Sequence, residues 1–182
     1  MGVDITMMVV NHKNPNEVIM TDLYNGRDYD FFSLLQNQEE VDFPCHRGIP
    51  EGVTEGDLFD LYENGGHYDF SYITIKDFLK WINDYRPQLD AGWVTKYEAW
   101  AYRTRGVIPE VHHEYPEYYA AAENLEFIEI CDYNNPFFAI REEIEKFFKE
   151  QNPSFQTSLQ TAETAKKWIE FVNNYIVYCF DC

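Results

Sequence analysis

The run from Val3 to Val10 (Val-Asp-Ile-Thr-Met-Met-Val-Val) is apolar, rich in β-branched residues, and stops at Asn11. A stretch of that composition reads as a strand, and as a central one, because little in it is suited to face water. At the other end of the sequence, Tyr175 to Phe180 has the same character and reads as a second strand. The chain between them is dominated by helical periodicity. Strand first, helices in the middle and strand last predicts an α+β fold: a small sheet including the N- and C-terminal strands, packed against several amphipathic helices. At 182 residues one domain over 1–182 is expected, large enough to bury a real core.

The helices announce themselves by caps. Asp28, in the turn Asn25-Gly26-Arg27-Asp28, is placed to N-cap a short helix carrying Tyr29, Phe31, Phe32, Leu34 and Leu35. Val18 to Thr21 is expected to pair back on the first strand after the Asn14-Pro15-Asn16 turn. Thr54 with Asp57 predicts a helix ending at Gly65-Gly66. Thr74 with Asp77 predicts another, with Ile75, Phe78, Leu79, Ile82 and Tyr85 on one face, stopping at Arg86-Pro87. Trp93 to Arg103 reads as a helix with Trp93, Tyr97, Trp100 and Ala101 inward, and Pro109 to Pro116 as a loop. Leu125 to Cys131 reads as a strand in which Glu126 and Glu129, three apart, point to opposite faces. Asn135-Pro136 opens a helix with Phe137, Ile140, Ile144, Phe147 and Phe148 inward. Thr161 starts a last one, with Ala165, Trp168, Ile169 and Val172 inward.

Charge supplies the functional signal. The formal net charge is −18, so direct binding to nucleic acid or to an anionic membrane is not expected. Aromatics at 18% argue against disorder in spite of that charge. The acids are also unevenly spread: Gly106–Ile140 and Gly48–Ile75 contain no Lys or Arg, yet hold thirteen of the thirty-two carboxylates. Carboxylates gathered without counter-charges repel one another, and a basic partner reverses the sign of that effect. The candidate partner-binding residues are therefore Glu110, Glu114, Tyr115, Glu117, Tyr118, Glu123, Glu126, Glu129 and Asp132, with Glu51, Glu55, Asp57 and Asp60 from the other window. Tyrosines among acids supply anchors that lose water on docking.

Catalytic patterns are sparse. There is no GxSxG, P-loop or GxGxxG, and no catalytic residue, metal or cofactor is expected. Cys179-Phe180-Asp181-Cys182 is a lone CxxC, which a strand would split between its two faces. His112-His113-Glu114 lacks the spacing of a helical metal site. Asp4, Arg27, Asp28 and Asp30 form the one group that supports an enzymatic alternative, a small hydrolase or nuclease-like modifier. The same residues also read as a helix cap and an Asp4–Arg27 bridge. No membrane-length apolar run and no signal peptide pattern is seen, so a cytoplasmic protein is expected.

The segments Met1-Gly2-Val3-Asp4-Ile5, Asn25-Gly26-Arg27-Asp28-Tyr29-Asp30 and Arg47-Gly48-Ile49-Pro50 resemble a group of small phage and mobile-element proteins. Members of that group often have His where this chain has Thr6. Over its full length the chain resembles type II-A anti-CRISPR proteins, inhibitors of the Cas9-type effector nuclease. The resemblance is one of length and composition and carries no functional residue across. It implies a non-enzymatic protein acting in the bacterial host cell, with the effector nuclease and its guide RNA as partner. An acidic mimic aimed at another DNA-binding protein is the remaining alternative.

Overall fold

A computed structural model describes residues 4–36, 42–53, 67–86, 88–116, 120–131, 135–156 and 161–181. Chain contacts divide it into two compact units, Met1–Asp84 with Pro136–Cys182, and Tyr85–Asn135.

The first unit is built on the two strands with the most apolar sequences. β1 (Asp4–Val10) pairs antiparallel with β7 (Tyr175–Asp181) in unbroken register from Asp4 opposite Asp181 to Val10 opposite Tyr175. β2 (Val18–Gly26) flanks β1, while β4 (His67–Thr74) and the short β3 (His46–Arg47) extend the other side, giving the order β2-β1-β7-β4-β3. The fold is thus α+β, with the first and last strands side by side in an antiparallel sheet. β1 is apolar on both faces because both are covered. Met8 and Val10 join Val53, Phe70, Val177 and Cys179 on one side. On the other, Met7 meets Phe43, Phe78, Phe137, Ile140 and Tyr178.

The helices of this unit follow their caps. α1 (Tyr29–Gln36) starts where Asp28 Oδ1 accepts the Phe31 N–H at 2.9 Å. α2 (Ile75–Asp84) starts where Thr74 Oγ1 accepts the Asp77 N–H at 3.0 Å, and buries Ile75, Phe78 and Ile82. α4 (Pro136–Gln151) buries Phe137, Ile140, Ile144 and Phe148. α5 (Ala162–Phe171) is capped by Thr161, but its inner face differs from the expected one: Thr164 and Val172 are buried, whereas Ala165 and Ile169 are exposed. The aromatic rings decide the phase. Trp168 and Phe171 pack on Phe148 with centroids 4.8 and 5.2 Å away, and that turns Ile169 outward. The expected helix from Thr54 to Gly65-Gly66 lies outside the described residues.

The second unit corrects the sequence reading most. The helix expected over Trp93–Arg103 is two elements, β5 (Gln88–Thr95) and α3 (Lys96–Arg105). Thr95 ends the strand and caps the helix: its side chain accepts from Glu98 N while Glu98 Oε2 accepts the Thr95 N–H at 2.8 Å. β5 pairs antiparallel with β6 (Leu125–Cys131), and Trp93 exchanges backbone hydrogen bonds with His112, so the segment expected to be loop adds a bridge on β5's other edge. With the helix starting at Lys96, Ala99 and Ala101 are buried, while Tyr97 and Trp100 are 68% and 44% exposed, not inward. Val94, Ile128, Ile130 and Ala99 form this unit's core, with Tyr102 and Val111 packed against it.

Candidate functional site

Among the candidate residues, Glu110, Glu114, Tyr115, Glu123, Glu126 and Glu129 fall in the second unit and Glu51 in the first. The two basic-free windows are therefore split between units rather than gathered within one. Glu117, Tyr118, Asp132, Glu55, Asp57 and Asp60 lie outside the described residues.

The β5–β6 pair has two unlike faces. Period-two alternation sends Val94, Ile128 and Ile130 toward α3. It sends Trp93, opposite Phe127, and Ala91, opposite Glu129, to the other side. There Trp93 holds Tyr115 and Phe127 edge-on, with centroids 4.8 and 5.6 Å away. Phe127 is 52% exposed and Tyr115 42% exposed, so this cluster is open to water. Glu129, two residues on from Phe127, shares its face and is exposed, and Glu114, beside Tyr115 in sequence, is exposed as well.

The glutamates separate by their partners. Glu126 lies on the helix side of β6, where Arg103 of α3 donates to Oε1 and holds its carboxyl below the usual range. It is thus a neutralised acid, and its basic partner comes from just before the basic-free window. Glu110, Glu114, Glu123 and Glu129 have no ion-pair partner among the described residues. In this unit all four basic residues precede Gly106, while seven of the nine acids follow it. Glu123 sits in a 3-10 turn (Ala122–Asn124) that leads into β6, and Glu51 in a turn of the first unit.

Sequence reasoning missed Trp93 and Phe127 as the centre of this surface. Trp93 fits a helix by composition, and the Thr95-x-x-Glu98 capping box is the signal that separates strand from helix there. A second exposed aromatic pair, Tyr97 and Trp100, lies on α3 with centroids 5.8 Å apart and the Arg105 guanidinium 4.7 Å from the Trp100 ring.

The alternative group is assembled in part. Arg27 donates from Nε to Asp4 Oδ1 at 2.7 Å and from a terminal nitrogen to Oδ2 at 3.1 Å, and this pairing holds the Asp4 carboxyl below its ordinary value. Both Asp4 oxygens and the Asp28 cap oxygen are thereby engaged. The Asp30 side chain lies outside what the structure describes. Burial pushes the Cys45 thiol up, away from the reactive thiolate, and Cys179 is fully buried; Cys182, the other half of the CxxC, is outside the described residues. Among the described residues no three His, Cys, Asp or Glu side chains converge as a metal site, and no helix is long and apolar enough to cross a membrane. No known protein family, curated protein or solved structure matches the chain.

Proposed function

We propose that the protein is a non-enzymatic inhibitor that docks on a guide-loaded Cas9-type nuclease through the open face of the β5–β6 pair and prevents target DNA binding or cleavage. The observation that carries this reading is the cluster Tyr115–Trp93–Phe127, open to water, with Glu129 on the same face and the exposed Glu114 next to Tyr115 in the chain, neither with an ion-pair partner among the described residues. Rings and carboxylates side by side suit an arginine twice over: the guanidinium plane lies on a ring while its N–H groups reach a carboxylate. A nuclease of this type holds its guide–target duplex in a positively charged channel and reads a short adjacent motif with arginines. The resemblance to type II-A anti-CRISPR proteins points to the same partner. Net negative charge speeds the encounter with such a channel and disfavours nucleic acid itself.

A titration decides the matter. Increasing amounts of the protein are added to guide-loaded nuclease, and both co-elution and cleavage of a target duplex are followed. A co-eluting complex with cleavage lost near one equivalent is expected. Full cleavage without a complex, at stoichiometric excess and low salt, overturns the proposal. Loss of cleavage at far below one equivalent means turnover, and so an enzyme.

A further inference from the structure

β6 is paired on one side only: its sheet has the order β5-β6, and the His112 bridge lies on the far edge of β5. The backbone fixes which groups face the open edge. Trp93 uses its N–H and C=O on His112, so both point away from β6. Residues opposite each other in an antiparallel ladder turn their bonding groups either toward each other or apart. Phe127, opposite Trp93, and Glu129, opposite Ala91 in the same unshifted register, therefore turn N–H and C=O outward. The edge is closed at both ends, where the Leu125 N–H donates to Ala122 O and the Cys131 N–H donates to Tyr102 Oη at 2.8 Å. Between them, nothing among the described residues bonds the outward groups of Phe127 and Glu129.

An edge of this kind is a template for another strand unless something blocks it. β2, an edge strand of the first unit, is blocked: it breaks register with β1 twice and holds Asp22 at φ 53°. β6 has no Pro, no Lys and no bulge from Leu125 to Ile130. Its one guard is the charge of the exposed Glu129, and that charge selects the occupant. A second copy brings the same glutamate and a net charge of −18, so like charges would gather in one sheet. A cationic strand meets no such repulsion, because neither β5 nor β6 contains a Lys or Arg.

We propose that the free edge of β6 takes up an extended, arginine-bearing segment of the partner as a further antiparallel strand. Phe127 and Glu129 bond its main chain, and its arginines lie on the open face against Glu129 and the Phe127 ring. Its alternate residues are apolar and continue the Ile128 side. The strand addition rests on the docking face proposed above and specifies how the partner is held there.

The test uses isotopically labelled full-length protein and an acetylated peptide of about eight residues alternating arginine and valine. Saturable amide shifts centred on residues 125–131 are expected, with exchange of the Phe127 and Glu129 amides slowed by about tenfold or more. In an antiparallel addition the arginines, being on the Phe127 face, carry the main-chain N–H groups that meet β6, and the valine N–H groups point away. Methylating the arginine main-chain nitrogens is expected to weaken binding by roughly tenfold or more, and methylating those of valine to change it by less than about threefold. Glu129→Gln weakens binding by roughly two- to fivefold. Equal binding of the two methylated peptides, unchanged exchange at Phe127 and Glu129, or no saturation by about 5 mM would each overturn the proposal. So would a free protein that sediments as a dimer with those amides already protected, since a second copy then holds the edge. The nuclease plays no part in this assay. Inhibition of cleavage without peptide binding overturns the strand addition alone, and peptide binding without inhibition overturns the choice of nuclease alone.

Discussion

Tyr178 is 1% exposed in the middle of the last strand, and burial pushes its hydroxyl far above the ordinary value of 10.0. The folded state therefore keeps a proton that the unfolded chain releases near pH 10. That contribution to stability is complete below pH 10 and is lost as pH rises beyond it, by at most about 1.4 kcal/mol per pH unit. Tyr178→Phe removes the ionisable group from both states. Thermal unfolding between about pH 9 and about pH 11 is expected to destabilise the wild type more steeply than the variant. Equal slopes would mean that the phenol titrates freely. At Asp4 the outcome sought is the reverse of a catalytic one. Both its oxygens are held by Arg27 at the surface, so Asp4→Ala is expected to leave inhibition of the nuclease at one equivalent unchanged. Loss of inhibition by a folded Asp4→Ala variant would revive the enzymatic reading.

Elements were legible where a single local rule decided them. β1, α2, α4 and β7 each had an uninterrupted apolar pattern or a cap at the right place, and the structure has them close to the expected bounds. Trp93 and Ala101 both suited a helix by composition, but the boundary between β5 and α3 was set by Thr95 and Glu98 acting together. β4 has neither a cap nor an uninterrupted apolar run, since its one acid, Asp69, interrupts the aromatics; its place is set by pairing with β7, Phe70 opposite Cys179 and Tyr72 opposite Val177. Long-range pairing of that kind has no local signature. Gly92 belongs to the same class. A Cβ there would lie 2.7 Å from His112 O and 2.9 Å from Val111 Cβ, so the glycine is what admits the His112 segment beside β5. Gly92→Ala is expected to cost about 1–3 kcal/mol and to expose the His112 amide, now bonded to Trp93 O at 2.9 Å, to hydrogen exchange. Unchanged protection of that amide would show that the segment can move aside without losing its bond.

For the molecule as a whole, the question is which negative charges recognise a partner and which are already spoken for. The sequence shows where acids gather without Lys or Arg but cannot sort their members, because Arg103 lies outside the window it neutralises and reaches Glu126 only through the packing of α3 on β6. The sorting makes two neighbouring acids of β6 behave differently. Glu129, on the Phe127 side and without an ion-pair partner among the described residues, lies on the face proposed for docking, whereas Glu126 lies on the α3 side, paired with Arg103. Glu114→Lys with Glu129→Lys is expected to weaken the nuclease complex by roughly tenfold or more, mainly through slower association, with thermal stability kept. Glu126→Lys sets two cations against each other and is expected to lower stability by about 0.5–1 kcal/mol while changing affinity little. Phe127→Ala, which removes a ring from the centre of the face, is expected to cost about 2 kcal/mol of binding. Raising salt from about 0.05 M to about 0.3 M should erase most of the association-rate difference between wild type and the double reversal, but not the Phe127 effect. The reverse ranking, with Glu126→Lys abolishing binding and the double reversal silent, would move the docking face to the α3 side, where Tyr97 and Trp100 stand exposed.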